Sequence, residues 1–291
     1  MPPEIVFQEN ASLNALNTFG IGGPARYFIE VTSIAKMQAT LRHCHAHRLR
    51  YFILGKGSNS LFDDRGFNGV VILNKIAFLS HPTQDCIHVG AGYSFSLLGT
   101  QTARRSLGGL EFACGIPGSV GGAVFMNAGA NGAETFQALS AVDFITDQGE
   151  LLHLPKTELS YGYRSSCFQK MPGAIVGATF LLSSSPEARA KQLNIINYRK
   201  MTQPYSDKSA GCVFRNPAGG HAGALIEQCG LKGNSIGGAQ VSCKHANFII
   251  NTGAGSSDSV LSLIEAIKTC VKDKTGVELE SEIRYIPYSE E

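Results

Sequence analysis

The spacing of apolar residues predicts two long helices. After Ser33, a residue type that favours helix N-termini, apolar side chains recur at intervals that place them on one helix face, namely at Ile34, Met37, Leu41 and Cys44. Residues 257–274 carry a second stripe, formed by Val260, Leu263, Ile264, Ile267 and Val271. Gly276 follows it as a helix-terminating residue. We also expect helices near residues 94–106 and 186–201.

Short apolar runs between these helices predict β-strands. Tyr51–Leu54 and residues 70–73 are continuous apolar runs, as expected for buried strands. Further strands are expected at 86–89, 141–145 and 247–251, and the serine-proline segment 183–186 is the best candidate for a linker. The pattern therefore predicts an α+β protein with two domains, residues 1–185 (subdomains about 1–75 and 76–185) and 186–291.

Glycine is concentrated in three loops of the first half of the chain. The densest lies at residues 108–132, where apolar side chains alternate with glycines at positions 108, 109, 115, 118, 121, 122, 129 and 132. The others are residues 17–26 and the loop Gly55-Lys56-Gly57-Ser58-Asn59-Ser60. Glycine permits close backbone approach to a ligand, and successive backbone N–H groups bind anions. The loops favour a cradle for a large phosphate-bearing cofactor; the alternative is a set of tight turns in an all-β domain.

The loop at 55–60 matches neither of the common nucleotide-binding signatures. It lacks the Gly-Lys-Ser/Thr ending of a P-loop at the required spacing. It also lacks the third glycine of the dinucleotide fingerprint, because Ser60 stands at that position. A different kind of cofactor site is therefore expected.

Composition and charge exclude several classes of function. The formal net charge is only +2, too small to indicate nucleic acid or a membrane as the main partner. No run of 18 apolar residues is present, and residues 1–4 do not resemble the start of a signal peptide. The eight cysteines include no Cys-x-x-Cys pair, which indicates reduced thiols and a cytoplasmic protein. His43 and His47 share a helix face, but the flanking arginines disfavour a metal there, and we expect no metal.

Six segments, taken in order, resemble one enzyme family. Their combined pattern resembles UDP-N-acetylenolpyruvoylglucosamine reductases, flavoenzymes with a vanillyl-alcohol-oxidase-type FAD-binding domain of two α/β subdomains and a C-terminal α+β substrate-binding domain. The segments are residues 17–28, 54–72, 109–134, 163–168, 209–217 and 279–283. The resemblance implies that FAD and NADPH are the cofactors and that UDP-N-acetylglucosamine enolpyruvate is the substrate. The FAD-binding residues that it implies are Gly55, Lys56, Gly57, Ser58, Asn59, Ser60, Gly115, Pro117, Gly118, Ser119, Gly121, Gly122 and Asn127.

The same resemblance implies three catalytic residues. Reduction of an enolpyruvyl group develops negative charge beside its carboxylate and needs a proton donor. Arg164 and Glu282 match the pair that stabilises the enolate. Glu280, two residues from Glu282, would share its face on a strand, so spacing alone does not separate the two; the resemblance favours Glu282. Cys212 stands where most members of the family carry the proton-donating serine, and a thiol is the stronger acid.

Further residues are candidates for binding the substrate. Arg215 stands where lysine is more usual and is expected to grip the diphosphate or the carboxylate. Tyr205 is a candidate for stacking on a base or sugar. The other candidates are Asn216, Lys232, His245 and Asn247. The chain lacks the tyrosine-bearing insertion of the longer form of the family, and thus resembles the shorter form.

Two other functions fit parts of the sequence. One is an FAD oxidase of a small alcohol or sugar lactone on the same fold, which often tethers its flavin covalently. The other is a non-catalytic nucleotide-sugar-binding module, which would purify without flavin. For the favoured reductase we expect a cytoplasmic monomer that binds neither nucleic acid nor membranes.

Overall fold

A computed structural model describes residues 5–290 of the chain, and its helices confirm the predicted ones. Ser33 caps the first helix, since its Oγ accepts a hydrogen bond from the backbone N–H of Lys36 at 3.2 Å. The last long helix ends at Gly276, whose φ of 73° lies in the left-handed region. The helices are α1 (Ile34–Ala46), α2 (Phe95–Arg104), α3 (Val120–Phe125), α4 (Thr135–Ala138), α5 (Ala188–Thr202), α6 (Ala222–Gln228) and α7 (Ser257–Thr275).

The predicted strands are also confirmed, some with slightly wider bounds. In chain order the strands are β1 (Gln8–Ser12), β2 (Pro24–Val31), β3 (Tyr51–Leu54), β4 (Ser60–Phe62), β5 (Phe67–Asn74), β6 (Leu79–Ser80), β7 (Cys86–Gly90), β8 (Leu107–Gly108), β9 (Gly129–Ala130), β10 (Ala133–Glu134), β11 (Leu139–Thr146), β12 (Leu151–Pro155), β13 (Tyr161–Gly162), β14 (Ser165–Ser166), β15 (Gly173–Leu181), β16 (Ser183–Ser184), β17 (Lys208–Cys212), β18 (Ser235–Ile236), β19 (Ala239–Val241), β20 (Phe248–Asn251) and β21 (Arg284–Ile286).

The chain folds into two compact units made of discontinuous segments. Among the described residues, the first unit comprises 5–8, 28–56 and 69–199, and the second comprises 9–27, 57–68 and 200–290. Two segments of the predicted first domain, 9–27 and 57–68, thus pack with the C-terminal third. Residues 183–186 are not a free linker as predicted, because Ser183 and Ser184 pair with β8 and the Ser185 N–H donates to Ser106 O.

The first unit is built around a five-stranded antiparallel sheet. Its strand order is β12-β11-β15-β7-β6. Apolar residues of these strands and of α2, α3 and α4 form one core, because alternate side chains of each strand point to the same face. Its largest fully buried members are Phe95, Phe136, Phe144 and Phe180. In the same unit β3 pairs in parallel with β5.

The second unit has its own sheet and core. Strands β17, β20, β19 and β18 form an antiparallel sheet in that order. The apolar stripe of α7 is buried in the core of this unit, as its spacing predicts. Strand β21 pairs in parallel with β4 and so ties the C-terminal segment to residues 60–62. In the described part of the chain, no helix is both long enough and apolar enough to cross a membrane.

Candidate active site

The glycine-rich loop of the first unit is held closely against the segment before α2. Ser94 and Ser119 form a β-bridge, and the N–H groups of Val120 and Gly121 donate to the carbonyls of Tyr93 and Ala91 at 2.9 and 2.8 Å. Ser119 also caps α3, as its Oγ accepts from the N–H of Gly122 at 3.3 Å. The backbone of residues 119–122 is therefore held to the segment 91–94 by hydrogen bonds and a β-bridge.

Glycines of this loop serve different purposes. A Cβ at Gly55 would lie 2.4 Å from Ser119 Oγ, and one at Gly121 would lie 2.9 Å from the Cβ of Ala91, so both positions are glycine for packing reasons. A Cβ at Gly122 would meet only Ser119 Oγ at 3.4 Å, an ordinary contact. Packing among the described residues therefore does not require glycine at 122.

The remaining FAD-binding candidates are divided between the two units. In the first, Lys56 Nζ donates to Ser94 Oγ at 2.9 Å, and the N–H of Gly115 donates to Ser96 Oγ at 2.8 Å. In the second, Gly57 has a φ of 60°, and a Cβ there would lie 2.6 Å from Asn17 Cα. Ser94, which contacts the predicted residue Lys56, was not among the predicted site residues, and its only signal in the sequence is its position at the start of α2.

Arg164 lies in the tight hairpin between β13 and β14. Its φ of 54° is unusual for a residue with a side chain and is the kind of strain found at functional sites. The guanidinium lies over the ring of Tyr163, 4.9 Å from the centroid, and Nη2 donates to Gly129 O at 2.9 Å. A Cβ at Gly129 would lie 2.6 Å from Ala133 O and 3.2 Å from Arg164 Nη1, so the neighbouring main chain, more than the arginine, requires glycine there.

Asn127 is hydrogen-bonded to this hairpin through Gly162. The residue is fully buried, and its Nδ2 donates to Gly162 O and to Glu134 Oε2, both at 2.9 Å. Its Oδ1 accepts from the N–H of Phe136 at 3.1 Å. One of these bonds, to Gly162 O, joins Asn127 to the Arg164 hairpin, and the FAD-binding role predicted for Asn127 stays a prediction.

Cys212 ends β17 at an irregularity in the second unit's sheet. The pairing with β20 jumps from Ser209 opposite Ile250 to Cys212 opposite Phe248, so one extra residue is accommodated. Gly211 has a φ of 79° within this bulge. Bulges redirect side chains and are common next to active sites. Cys212 is half-buried.

The two acidic candidates differ in their surroundings. Glu280 is exposed, and its Oε2 lies 3.7 Å from Arg215 Nη1. The Glu282 N–H donates to Val213 O at 2.7 Å, and its carbonyl accepts from Asn59 Nδ2 at 3.2 Å. Ser281, which lies between the two glutamates, forms an isolated antiparallel bridge with Phe214. Glu280 and Glu282 therefore flank one bridge position, and their spacing still does not separate them. Glu282 is thus bound by its main chain to the segment that follows Cys212.

Arg215 carries a buried polar atom that the described residues leave unsatisfied. Its Nε is buried and has no hydrogen-bond partner within residues 5–290. Its side chain is about one-third exposed, and the guanidinium contacts Glu280 only at 3.7 Å. A buried N–H of an arginine favours an anionic acceptor, which a phosphate or carboxylate provides.

The other substrate-binding candidates fall in the second unit. Asn216 Oδ1 accepts from the N–H of Ala222 at 3.1 Å and so binds the first turn of α6. Lys232 Nζ pairs with Glu227 Oε1 at 2.6 Å. Burial, and then the nearby charge of Lys232, lower the pKa of His245. The imidazole is therefore neutral at pH 7, and its Nδ1 accepts from the N–H of Asn247 at 3.2 Å.

The geometry groups the predicted residues into two sets. The first unit holds Arg164, Asn127 and the glycine loop, while the second holds Cys212, Glu282, Arg215 and the remaining substrate candidates. A cavity of about 710 Å³ in the first unit, lined by Glu111, Phe112, Lys191, Ile195 and their neighbours, contains none of the predicted site residues. The predicted chemistry therefore does not lie in that cavity.

Comparison with known proteins identifies both parts of the chain. The family described as "FAD binding domain" matches residues 25–155, and the one described as "UDP-N-acetylenolpyruvoylglucosamine reductase, C-terminal domain" matches residues 203–286. The UDP-N-acetylenolpyruvoylglucosamine reductase of Protochlamydia amoebophila is 64% identical over 97% of this chain and 94% of its own. The corresponding protein of Chlamydia trachomatis serovar A is 49% identical over 97% of this chain and 96% of its own.

A solved structure agrees with these sequence matches. The crystal structure of UDP-N-acetylenolpyruvylglucosamine reductase (MurB) from Thermus caldophilus superposes with a TM-score of 0.82 at 35% identity, covering 97% of this chain and all of the other. The predicted fold class, a vanillyl-alcohol-oxidase-type FAD-binding domain with a C-terminal α+β domain, is confirmed.

Proposed function

The chain belongs to the UDP-N-acetylenolpyruvoylglucosamine reductase family, and we propose which of its residues carry out the family's reaction. The protein is an FAD-containing oxidoreductase of peptidoglycan precursor synthesis. It uses NADPH to reduce the enolpyruvyl group of UDP-N-acetylglucosamine enolpyruvate to give UDP-N-acetylmuramate. The observation that carries this conclusion is the match of nearly the whole chain, FAD-binding and C-terminal domains included, to reductases of that name. The oxidase and binding-module alternatives are not favoured. We further propose that the protein works as a monomer in the cytoplasm.

The glycine loops are proposed to hold FAD. When bound, FAD supplies the transfer of hydride from NADPH to the enolpyruvyl double bond. The residues around 118–122 fit such a group, because their backbone is hydrogen-bonded to the segment before α2 and a Cβ at Gly122 would meet only Ser119 Oγ. Ser119 and Gly55 keep this backbone in place through their mutual packing. Lys56, Gly57, Ser58, Asn59 and Ser60 are proposed to complete the cofactor contacts.

Arg164 is proposed to bind the carboxylate of the enolpyruvyl group. A guanidinium presents two parallel N–H donors to a carboxylate and stays charged at every relevant pH. Support comes from the way the side chain is pre-positioned: its strained backbone, the Tyr163 ring beneath it and its bond to Gly129 O restrict where the guanidinium lies. Such a fixed charge stabilises the enolate as it forms without needing to reorganise.

Cys212 is proposed to donate the proton to the enolate carbon. In this step the S–H bond breaks, a C–H bond forms, and the thiolate takes its proton back from solvent before the next turnover. The bulge at Ser209–Cys212 supports the role, because it directs the thiol independently of the regular strand alternation. A serine hydroxyl in the same position would perform the same transfer.

Glu282 is proposed as the acidic residue that acts with Arg164 on the enolate. Glu280 is the other candidate, but its carboxylate is exposed and faces Arg215. The main chain of Glu282 is bonded directly to Val213, next to Cys212, which supports a common role for these two side chains. Arg215, with its unsatisfied Nε, is proposed to bind a phosphate or the carboxylate of the UDP-sugar, together with Asn216, Lys232 and the neutral His245.

Measuring flavin reduction by NADPH and flavin reoxidation by the substrate separately distinguishes a catalytic role of Arg164 and Glu282 from a structural one. We expect Arg164→Ala and Glu282→Gln to leave the bleaching of flavin by NADPH within about twofold of wild type. Both should slow reoxidation by UDP-N-acetylglucosamine enolpyruvate at least ~10²-fold, as for loss of a positioned acid or charge stabiliser.

Glu280→Gln is the matched control and is expected to keep the reoxidation rate. Equal losses in both half-reactions would mark Arg164 and Glu282 as residues of the fold or of the cofactor site. A loss in Glu280→Gln with none in Glu282→Gln would exchange the roles of the two glutamates.

A further inference from the structure

Asn247 makes an unusual pair of contacts just before β20. The residue is 3% exposed, and its Oδ1 accepts a hydrogen bond from the N–H of Phe214 at 2.9 Å. Its Nδ2 donates to the carbonyl of the same residue at 2.8 Å. Both ends of the side-chain amide are therefore bound to the main chain of Phe214. This is the pair of bonds that a neighbouring strand would otherwise provide.

The sheet needs such a substitute at this point. The bulge at Ser209–Cys212 interrupts the pairing of β17 with β20, and β17 ends at Cys212. Beyond it the main chain of residues 213–214 continues beside Asn247, where the Val213 N–H donates to Asn247 O at 2.8 Å. Asn247 thus holds, through three hydrogen bonds, the segment that directly follows the proposed proton donor.

The opposite edge of the same segment binds the other proposed catalytic residue. Val213 O accepts from the N–H of Glu282 at 2.7 Å, and Phe214 forms a β-bridge with Ser281. The Arg215 N–H donates to Glu280 O at 2.9 Å. The segment 213–215 therefore lies between Asn247 on one edge and residues 280–282 on the other. A displacement at Phe214 would move the backbones of Cys212 and Glu282 together.

We propose that Asn247 is a positioning residue for the proton-transfer half of the reaction. It fixes the main chain that carries Cys212 and to which Glu282 is bonded, and its side chain does not contact the UDP-sugar. This inference rests on the proposed roles of Cys212 and Glu282. It replaces the substrate-binding role that the sequence suggests for Asn247. Positioning of this kind has large kinetic effects, because a displacement of about 1 Å at a reacting group can slow a step about 10²-fold.

The chain offers a close control for the test. Asn251, at the other end of β20, also bonds main-chain groups with both ends of its amide. Its Nδ2 donates to Phe19 O at 3.0 Å, and its Oδ1 accepts from the N–H groups of Gly253 and Gly255 at 2.9 and 3.0 Å. In Asn247→Asp and Asn251→Asp alike, the acceptor bonds remain and the donor bond to a carbonyl is lost. Only the first of these lies beside the catalytic segment.

The experiment uses the holoenzyme with FAD bound and compares four measurements. They are urea unfolding, NADPH-driven flavin bleaching, calorimetric binding of UDP-N-acetylglucosamine enolpyruvate to the oxidised enzyme, and the saturating rate of flavin reoxidation. In Asn247→Asp we expect reoxidation to slow at least ~10²-fold, with bleaching and substrate binding within about threefold of wild type. We expect Asn251→Asp to lose some stability, less than Asn247→Asp because Asn251 is only partly buried, and to keep its reoxidation rate. Asn247→Ala removes both bonds without burying a carboxylate and should behave as Asn247→Asp.

Several results would overturn the inference. If Asn247→Asp binds the substrate more weakly but keeps the saturating rate of reoxidation, Asn247 is a substrate contact. If Asn251→Asp loses as much of the reoxidation rate, the effect comes from a general loss of stability. A third test needs no variant: amide hydrogen exchange in the wild type should place the Phe214 N–H among the slowest of its unit, and fast exchange there would also refute the positioning role. Cys212→Ala, measured alongside, tests the proposed function separately. A wild-type reoxidation rate in this variant would refute Cys212 as the proton donor, but not the bonds by which Asn247 holds the main chain of Phe214.

Discussion

At Gly122 the fold and the proposed FAD site place different demands on the side chain. A Cβ at this position would meet only Ser119 Oγ at 3.4 Å, and its φ is not in the left-handed region. Alanine is therefore expected to fit the apoprotein without strain. If the bare backbone at 122 is part of the FAD cradle, the same methyl group will meet the cofactor. Gly122→Ala should consequently stabilise the apoprotein and weaken FAD binding.

The two effects have different magnitudes. Replacing a helical glycine by alanine raises the free energy of unfolding by about 0.5–1 kcal/mol when the conformation is compatible. Forcing a methyl group into a filled contact costs about 1–3 kcal/mol. At about 1.4 kcal/mol per tenfold change, the FAD dissociation constant should rise about 5- to 140-fold. Gly121→Ala is the control, because its Cβ would lie 2.9 Å from Ala91 Cβ and should lower apoprotein stability by about 1–3 kcal/mol.

The assay uses deflavinated protein. Urea unfolding gives the free energy of the apoprotein, and titration with FAD, followed by quenching of flavin fluorescence, gives the dissociation constant. An FAD dissociation constant within twofold of wild type in Gly122→Ala, together with the gain in stability, would refute the assignment of this glycine to the cofactor site. A loss of apoprotein stability would refute the packing argument instead.

Two other predictions concern stability and thiol chemistry. The Asp63 carboxylate accepts hydrogen bonds from Arg65 and from Tyr285 Oη, and the Arg65 bonds in particular hold the pKa of this buried carboxyl far below its usual value. Because the folded-state pKa is lowered, the stabilisation is present above the unfolded-state pKa of about 3.8 and is lost as the pH falls towards the folded-state value. Asp63→Asn should therefore lower the free energy of unfolding at pH 7 by about 2–3 kcal/mol and weaken the decline of that free energy below pH 4. Urea unfolding at several pH values tests this, and an unchanged decline below pH 4 would contradict it. Burial raises the pKa of the Cys44 thiol to about 11, whereas Cys243 is exposed. Iodoacetamide at pH 8 should therefore label Cys243 at least ~10²-fold faster than Cys44. Comparable labelling rates in the native protein would contradict the burial of Cys44.

Local patterns were sufficient for the long helices and the main strands, but not for the short elements such as α3, α4 and α6. The apolar stripes of α1 and α7 predicted their positions, because a buried helix face needs an apolar residue every three or four positions. Gly276 was predicted as a stop for the same local reason, as its left-handed φ is easiest for glycine. The glycine loops also predicted a site for a phosphate-bearing cofactor, since each glycine by itself indicates a place where the backbone can approach a ligand.

Contacts between distant segments were not predictable in this way. Asn247 bonds a residue 33 positions away, and nothing near it in the sequence indicates that its amide holds Phe214. Residues 9–27 and 57–68 pack with the C-terminal third because of tertiary contacts that leave no periodic signal. The serines at 183–184 have the composition of a linker, but their backbone groups pair with β8, since any chain segment can satisfy an exposed strand edge.

Cys212 is proposed to supply the proton when the enolpyruvyl group is reduced. The direct test is anaerobic stopped-flow reoxidation of the NADPH-reduced holoenzyme by UDP-N-acetylglucosamine enolpyruvate, for wild type, Cys212→Ser and Cys212→Ala between pH 7 and pH 10. We predict that Cys212→Ala loses this half-reaction while keeping flavin reduction by NADPH, and that Cys212→Ser retains much of it. The wild type should slow as the pH rises past the ionisation range of a free thiol, about 8.5, and the serine variant should not. A wild-type rate in Cys212→Ala, or one shared alkaline profile for wild type and Cys212→Ser, would contradict the assignment.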